Sequence, residues 1–125
     1  EYKASVDLCL REFLACSDVF EAARCIVELG SRQFHPQIVK RAVMMAMDKS
    51  GKEREMIAVL FASLHVRGIL ASEDVALGFE ALLTSIDDIL LDTPNADSLL
   101  AHFLADAVLD KLIPPAVLGK YRDQL

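Results

Sequence analysis

The chain has 125 residues, 54% of them hydrophobic, which is enough apolar side chain for one domain with a packed core. Its longest apolar runs fall far below the roughly 18 residues of a membrane span, and no basic stretch leads into an apolar one as in a secretory signal, so no membrane partner is expected. The formal net charge of −6 divides unevenly: residues 1–67 hold ten basic and nine acidic residues, whereas nine acids and no lysine or arginine lie between Arg67 and Lys111.

The chain reads as helices throughout, and no segment shows a period of two. It opens on Glu1 rather than Met, close to a helical pattern, which suggests a single domain, residues 1–125, excised from a longer protein. Val6, Cys9, Leu10 and Phe13 make an i, i+3, i+4, i+7 stripe for a first helix ending near Cys16. Asp18 with Glu21 resembles a capping box for a second, running to about Leu29 with Ala22, Ala23, Ile26 and Leu29 inward. The three cysteines, Cys9, Cys16 and Cys25, are odd in number and lack a CxxC spacing, which points to reduced thiols in a cytoplasmic or nuclear protein.

Pro36 opens a third helix with Val39, Ala42, Val43 and Ala46 on one face, and Ser50-Gly51 ends it. A fourth, from about Lys52, aligns Met56, Val59, Leu60, Ser63 and Leu64 and stops at Arg67-Gly68. Ser72 is a good N-cap for the fifth, with Glu73 and Asp74 in its first turn and Val75, Phe79, Leu82 and Leu83 inward. The sixth begins at Pro94, buries Leu99, Leu100, Phe103 and Leu104, and fades near Asp110. A short seventh follows Pro114-Pro115 with Val117, Leu118 and Tyr121. Pairing first with second, third with fourth and fifth with sixth gives units at roughly the 40-residue period of HEAT repeats. The expected fold is all-α, a HEAT-like stack of antiparallel helical hairpins with about seven helices.

Enzyme chemistry finds little support, because no P-loop, GxGxxG, HExxH, GxSxG or zinc-like Cys and His spacing is present. No cofactor, metal ligand or catalytic residue is expected. His35 reads as a capping or surface residue, and His65 and His102 as partly buried or surface. The basic residues Arg32, Lys40, Arg41, Lys49, Lys52 and Arg54 are interleaved with Asp48, Glu53 and Glu55, the pattern of a solvated surface. Direct nucleic-acid binding needs an uncompensated basic face with stacking aromatics, and aromatics are 6% of this chain.

The most informative stretch is Asp87 to Pro94. Asp88 and Asp92 stand four apart, so on a helical turn they share one side about 6 Å apart between Cβ atoms. Ile89, Leu90 and Leu91 are expected to anchor the segment to the core. The plain reading is that Asp92 or Thr93 caps the sixth helix, with Pro94 at its first position. That reading covers Asp92 and leaves Asp87 and Asp88 unexplained, since neighbouring carboxylates repel unless a cation partner offsets the cost. A one-signed surface of this kind steers a basic partner toward it.

Asp88-Ile-Leu-Leu-Asp92-Thr-Pro94, followed by an apolar helix, resembles the acidic turn of MA3 domains. The likeness extends upstream to Phe34-His35-Pro36-Gln37-Ile38-Val39-Lys40-Arg41-Ala42-Val43 and Lys52-Glu53-Arg54-Glu55-Met56, and covers about Val6 to Leu118. It is nearer the programmed cell death four and plant multi-MA3 group than the initiation factor 4G group. The resemblance implies a HEAT-like domain that binds the RNA helicase initiation factor 4A, competes with RNA and holds the helicase inactive. It maps the main contact onto Asp88 and Asp92, with the additional acid Asp87 and the adjoining Thr93 and Pro94 in the same surface. A translation-promoting scaffold of the initiation factor 4G type, or an adaptor for another basic protein, are the alternative readings. Other translation-initiation proteins are further partners the resemblance allows. One departure is Ser17, where many members have glycine.

Overall fold

The computed structural model describes residues 2–117, and among these are seven α-helices and no strand. They are α1 (Tyr2–Cys16), α2 (Val19–Leu29), α3 (His35–Met47), α4 (Gly51–Val66), α5 (Ser72–Thr84), α6 (Ile86–Asp92) and α7 (Ala96–Leu109), with a short 3-10 turn at Arg32–Phe34 ahead of α3. The expected all-α class holds, and α1 with α2 and α3 with α4 pack as neighbours in the expected order.

α1 buries Val6, Cys9, Leu10 and Phe13, the stripe its spacing predicts. It stops because Ser17 takes φ 62° and sends its N–H back to the Phe13 carbonyl at 2.7 Å, a left-handed cap. Asp18 then accepts the Glu21 N–H at 3.1 Å to start α2. Glu21 turns its own carboxylate to Arg24, so only half of the expected capping box forms.

The hairpin brings Cys9 and Cys25 together in a disulfide, with Cα atoms 6.2 Å apart, while Cys16 is free and exposed. The expectation of three reduced thiols is therefore corrected. Two residues 16 apart in sequence form no recognisable motif, yet they face each other once α1 and α2 turn back on one another.

α3 is the centre of the molecule. Seven of its thirteen residues are buried, and it packs against α1, α4, α5 and α7. Its tightest approach is to α5, where a Cβ added at Gly78 would lie 2.5 Å from Val39 Cβ and 2.9 Å from the Pro36 carbonyl oxygen. The cross-link Arg41 Nε and Nη2 to Asp7 Oδ1 and Oδ2, at 2.6 and 2.7 Å, ties α3 to α1. That hydrogen-bonded guanidinium holds the Asp7 carboxyl below its usual range.

Elsewhere the expectations shift by a turn or a face. α4 buries Ile57, Leu60, Phe61 and Leu64, while Val59 is exposed and Met56 and Ser63 only partly covered. Its apolar residues span two overlapping stripes that share Leu60 and Leu64, and packing on α3 and α7 selects the one containing Phe61. Gly51 begins α4 rather than ending α3. The cap of α5 is Ala71, whose N–H is accepted by Asp74 at 2.9 Å, rather than Ser72.

The third expected hairpin is also different. α5 packs mainly on α3, and the acidic segment forms a helix of its own, α6, between α5 and α7. The expected seventh helix after Pro114-Pro115 is represented by the Val117 N–H bonded to the Pro114 carbonyl at 3.1 Å, and Leu118 and Tyr121 lie outside the described residues.

Candidate functional site

The acidic segment is held at both ends by backbone geometry. Ser85 ends α5 and starts α6 at once: its N–H bonds to the Ala81 and Leu82 carbonyls, and its own carbonyl accepts the Ile89 N–H at 3.0 Å. At the other end Pro94 decides the stop, because a residue preceding proline is pushed out of the helical region. Thr93 accordingly adopts φ −130°, ψ 90°, and its carbonyl accepts the Ala96 N–H at 2.9 Å to launch α7. Asp92 is thereby the last residue of α6, one turn after Asp88.

The face that α6 turns inward carries buried Ile89, with Ile86 and Leu90 partly covered. Asp87, Asp88 and Asp92 are exposed, as is Pro94, and Thr93 is half-buried. Leu91 was expected in the core and is instead 82% exposed. Its position explains this, since residues 88, 91 and 92 follow i, i+3, i+4 and share one helix side, opposite Ile89. A helical wheel over residues 86–92 carries that signal, which reading the run Ile89-Leu90-Leu91 as one anchor conceals.

Asp92 does not cap α7. The residue ahead of that helix is Asn95, which makes no side-chain capping bond. A carboxylate at a helix C-terminus faces the negative end of the dipole, whereas Asp87 and Asp88 lie in the favourable first turn. The sequence reading is therefore reversed: the local helix accounts for Asp88 and gives Asp92 no stabilising role. Among the described residues no side-chain hydrogen bond or ion pair engages Asp87, Asp88 or Asp92. Two unit charges about 6 Å apart in water repel by about 0.7 kcal/mol. The arrangement is an apolar knob, Leu91, flanked by two unpaired carboxylates on a helix clamped at both ends.

The histidines have structural partners. His35 is 6% exposed, and its Nδ1 lies 3.0 Å from the Ile69 carbonyl oxygen, which corrects its expected capping or surface place. His65 Nδ1 lies 2.9 Å from the Leu70 carbonyl oxygen, so two imidazoles hold consecutive carbonyls of the connection between α4 and α5. His102 is exposed on α7. No group of three or more potential metal ligands converges among the described residues.

The comparisons with known proteins follow the same line. Residues 2–114 match the MA3 domain. The chain is 41% identical over 120 residues to MA3 domain-containing translation regulatory factor 3 of Arabidopsis thaliana, covering 96% of the chain and 17% of that protein. It is 33% identical over 113 residues to eukaryotic translation initiation factor 4G of Triticum aestivum, covering 89% of the chain and 8% of the relative. For programmed cell death protein 4 of Homo sapiens the identity is 31% over 102 residues, covering 81% and 22%. The chain spans a fifth or less of the length of the plant regulatory factors it matches. A domain profile matched almost from end to end, on an all-helical fold with the acidic helix ahead of Pro94, leads to one conclusion: the chain belongs to the MA3 domain family.

Proposed function

We propose that this chain is a protein-interaction domain that binds the RNA helicase initiation factor 4A through α6 and its junction with α7, and thereby restrains cap-dependent translation. The observation that carries the reading is the exposed face of Asp88, Leu91 and Asp92, whose charges have no internal partner. A helicase cleft is lined with lysine and arginine because it holds phosphates. Carboxylates fixed on a short helix occupy such residues in place of RNA, while Leu91 supplies apolar contact that phosphate lacks. Asp87, Thr93 and Pro94 border the same surface.

The relatives named as translation regulatory factors and as initiation factor 4G support a role in translation regulation. Direct RNA binding by the domain is not part of the reading, since the charge between Arg67 and Lys111 repels phosphate. The compartment, cytoplasmic with the nucleus as a second site, is part of the proposal, although the reduced-thiol argument for it does not survive the Cys9–Cys25 disulfide. The likeness to wheat initiation factor 4G favours a second reading, in which the domain recruits the helicase and promotes translation.

Binding of the domain to initiation factor 4A, measured with and without single-stranded RNA, tests the mechanism. Competition predicts that RNA weakens the complex, and unchanged affinity at saturating RNA contradicts it. Adding the domain to a cell-free translation system separates the two directions: falling output supports restraint, and rising output supports recruitment.

A further inference from the structure

A groove runs between the C-terminal half of α1 and the turn joining α3 to α4. It consists of two cavities of about 490 and 290 Å³ that share Lys52 and Met56. Leu14, Met45 and Met56 supply its apolar wall, and Arg11, Lys49 and Lys52 stand along it. Methionine is unbranched and adaptable, so such a wall accepts an inserted aliphatic side chain without a preformed shape. Lys49 and Lys52 make no ion pair among the described residues, and Arg11 acts on the Asp7 carboxylate from a distance without a close ion pair. Glu53 and Glu55 also line the groove: the Glu53 carboxylate accepts the Ser50 hydroxyl at 2.7 Å, and Glu55 is exposed at its rim, so the cations outnumber the acids three to two.

The chain carries the complement of this groove on other elements. α6 presents Leu91 between Asp88 and Asp92, and it packs on α5 and α7, whereas the groove is built on α1, α3 and α4. One chain's knob therefore meets a second chain's groove. We propose that the groove receives α6 of a second copy, with Leu91 against Met45 and Met56 and the carboxylates of Asp88 and Asp92 on Arg11, Lys49 and Lys52. The contact is head-to-tail, so it leaves a knob free at one end and a groove free at the other. It covers the face assigned above to the helicase, but it stands on the complementarity within this chain and not on that assignment.

Sedimentation equilibrium of the 125-residue chain tests the proposal. At low salt the apparent mass is expected to climb with concentration above 13.8 kDa, and to return to it in about 0.5 M salt, where the Debye length is about 4 Å. A mass of 13.8 kDa at every concentration in low salt overturns the proposal. Lys49→Glu with Lys52→Glu, and separately Asp88→Lys with Asp92→Lys, are each expected to be monomeric. An equimolar mixture regains association, because each variant's knob then meets a groove of opposite charge. Failure of the mixture to associate overturns the proposal, as does wild-type association by either variant alone. All four positions are exposed, and a wild-type chain that stays monomeric in low salt overturns the proposal without any variant. The Lys49 and Lys52 variant is expected to keep its helicase affinity, so the two readings fail separately.

Discussion

Asp88 and Asp92 carry the same charge one turn apart, yet their helix treats them in opposite ways. Asp88 lies in the first turn of α6 and Asp92 is its last residue. Dipole effects of this kind are worth about 0.3 to 1 kcal/mol at exposed positions, less on a helix this short. Asp88→Ala is therefore expected to lower stability slightly and Asp92→Ala to leave it unchanged or raise it, as read by thermal unfolding. A large loss on removing Asp92 would restore the capping role that the sequence assigned to it. Ser17 offers a sharper residue-scale test. The resemblance expects glycine there, and the backbone shows why glycine would suit the position: φ is 62°, a region that costs a residue with a Cβ about 1 to 2 kcal/mol. Ser17→Gly is expected to raise the unfolding free energy by about 0.5 to 1 kcal/mol in urea, after the extra backbone freedom of glycine in the unfolded chain is subtracted. No gain would mean that the Ser17 side chain contributes something its exposed position does not reveal.

At the scale of elements, legibility followed the width of the apolar face. α1 and α5 each have one narrow stripe, and their buried residues were readable from spacing. α4 has apolar residues on two overlapping stripes, so its inward face depended on partners that the local sequence does not name. α6 is only seven residues long, too short for periodicity to mark it as a separate helix, although Pro94 in the sequence marks where it must end. Gly78 was missed because glycine in a helical run suggests a weakness rather than a contact. Here it lets α5 lie against α3. Replacing a helical glycine by alanine ordinarily gains about 1 kcal/mol, but overpacking costs about 1 to 3 kcal/mol when the neighbours cannot yield. The neighbours are Val39 Cβ and a backbone oxygen, so Gly78→Ala is expected to destabilise by up to about 2 kcal/mol, and stabilisation would show that the two helices move apart freely. Asp7 with Arg41 is the long-range counterpart. The lowered carboxyl contributes stability that is present above its unfolded value, near 3.9, and is lost as pH falls through the folded value. Asp7→Asn is expected to cost about 1 to 3 kcal/mol at neutral pH, with the difference from wild type shrinking below about pH 4. A constant difference down to pH 2 would point to packing instead of charge.

Over the whole molecule, the charge asymmetry was legible from the first count, whereas its division of labour needed the fold. The nine acids between Arg67 and Lys111 fall on α5, α6, α7 and the turn that follows, and on α6 two of them, Asp88 and Asp92, flank Leu91, which is more exposed than Leu77 or Leu109 on the neighbouring helices. The Cys9 to Cys25 disulfide was invisible in spacing alone, because the hairpin and not a motif brings the residues together. The rest of the core is arranged around α3, which leaves α6 packed mainly on α5 and α7, where a change of surface is separable from a change of fold. That separation makes the central claim testable in one titration. The affinity of initiation factor 4A for the chain and for Asp88→Ala with Asp92→Ala is measured at physiological salt, with helical circular dichroism recorded on both. The account predicts unchanged helicity and melting and at least tenfold weaker binding, about 1.4 kcal/mol; equal affinity of the folded double variant would contradict it.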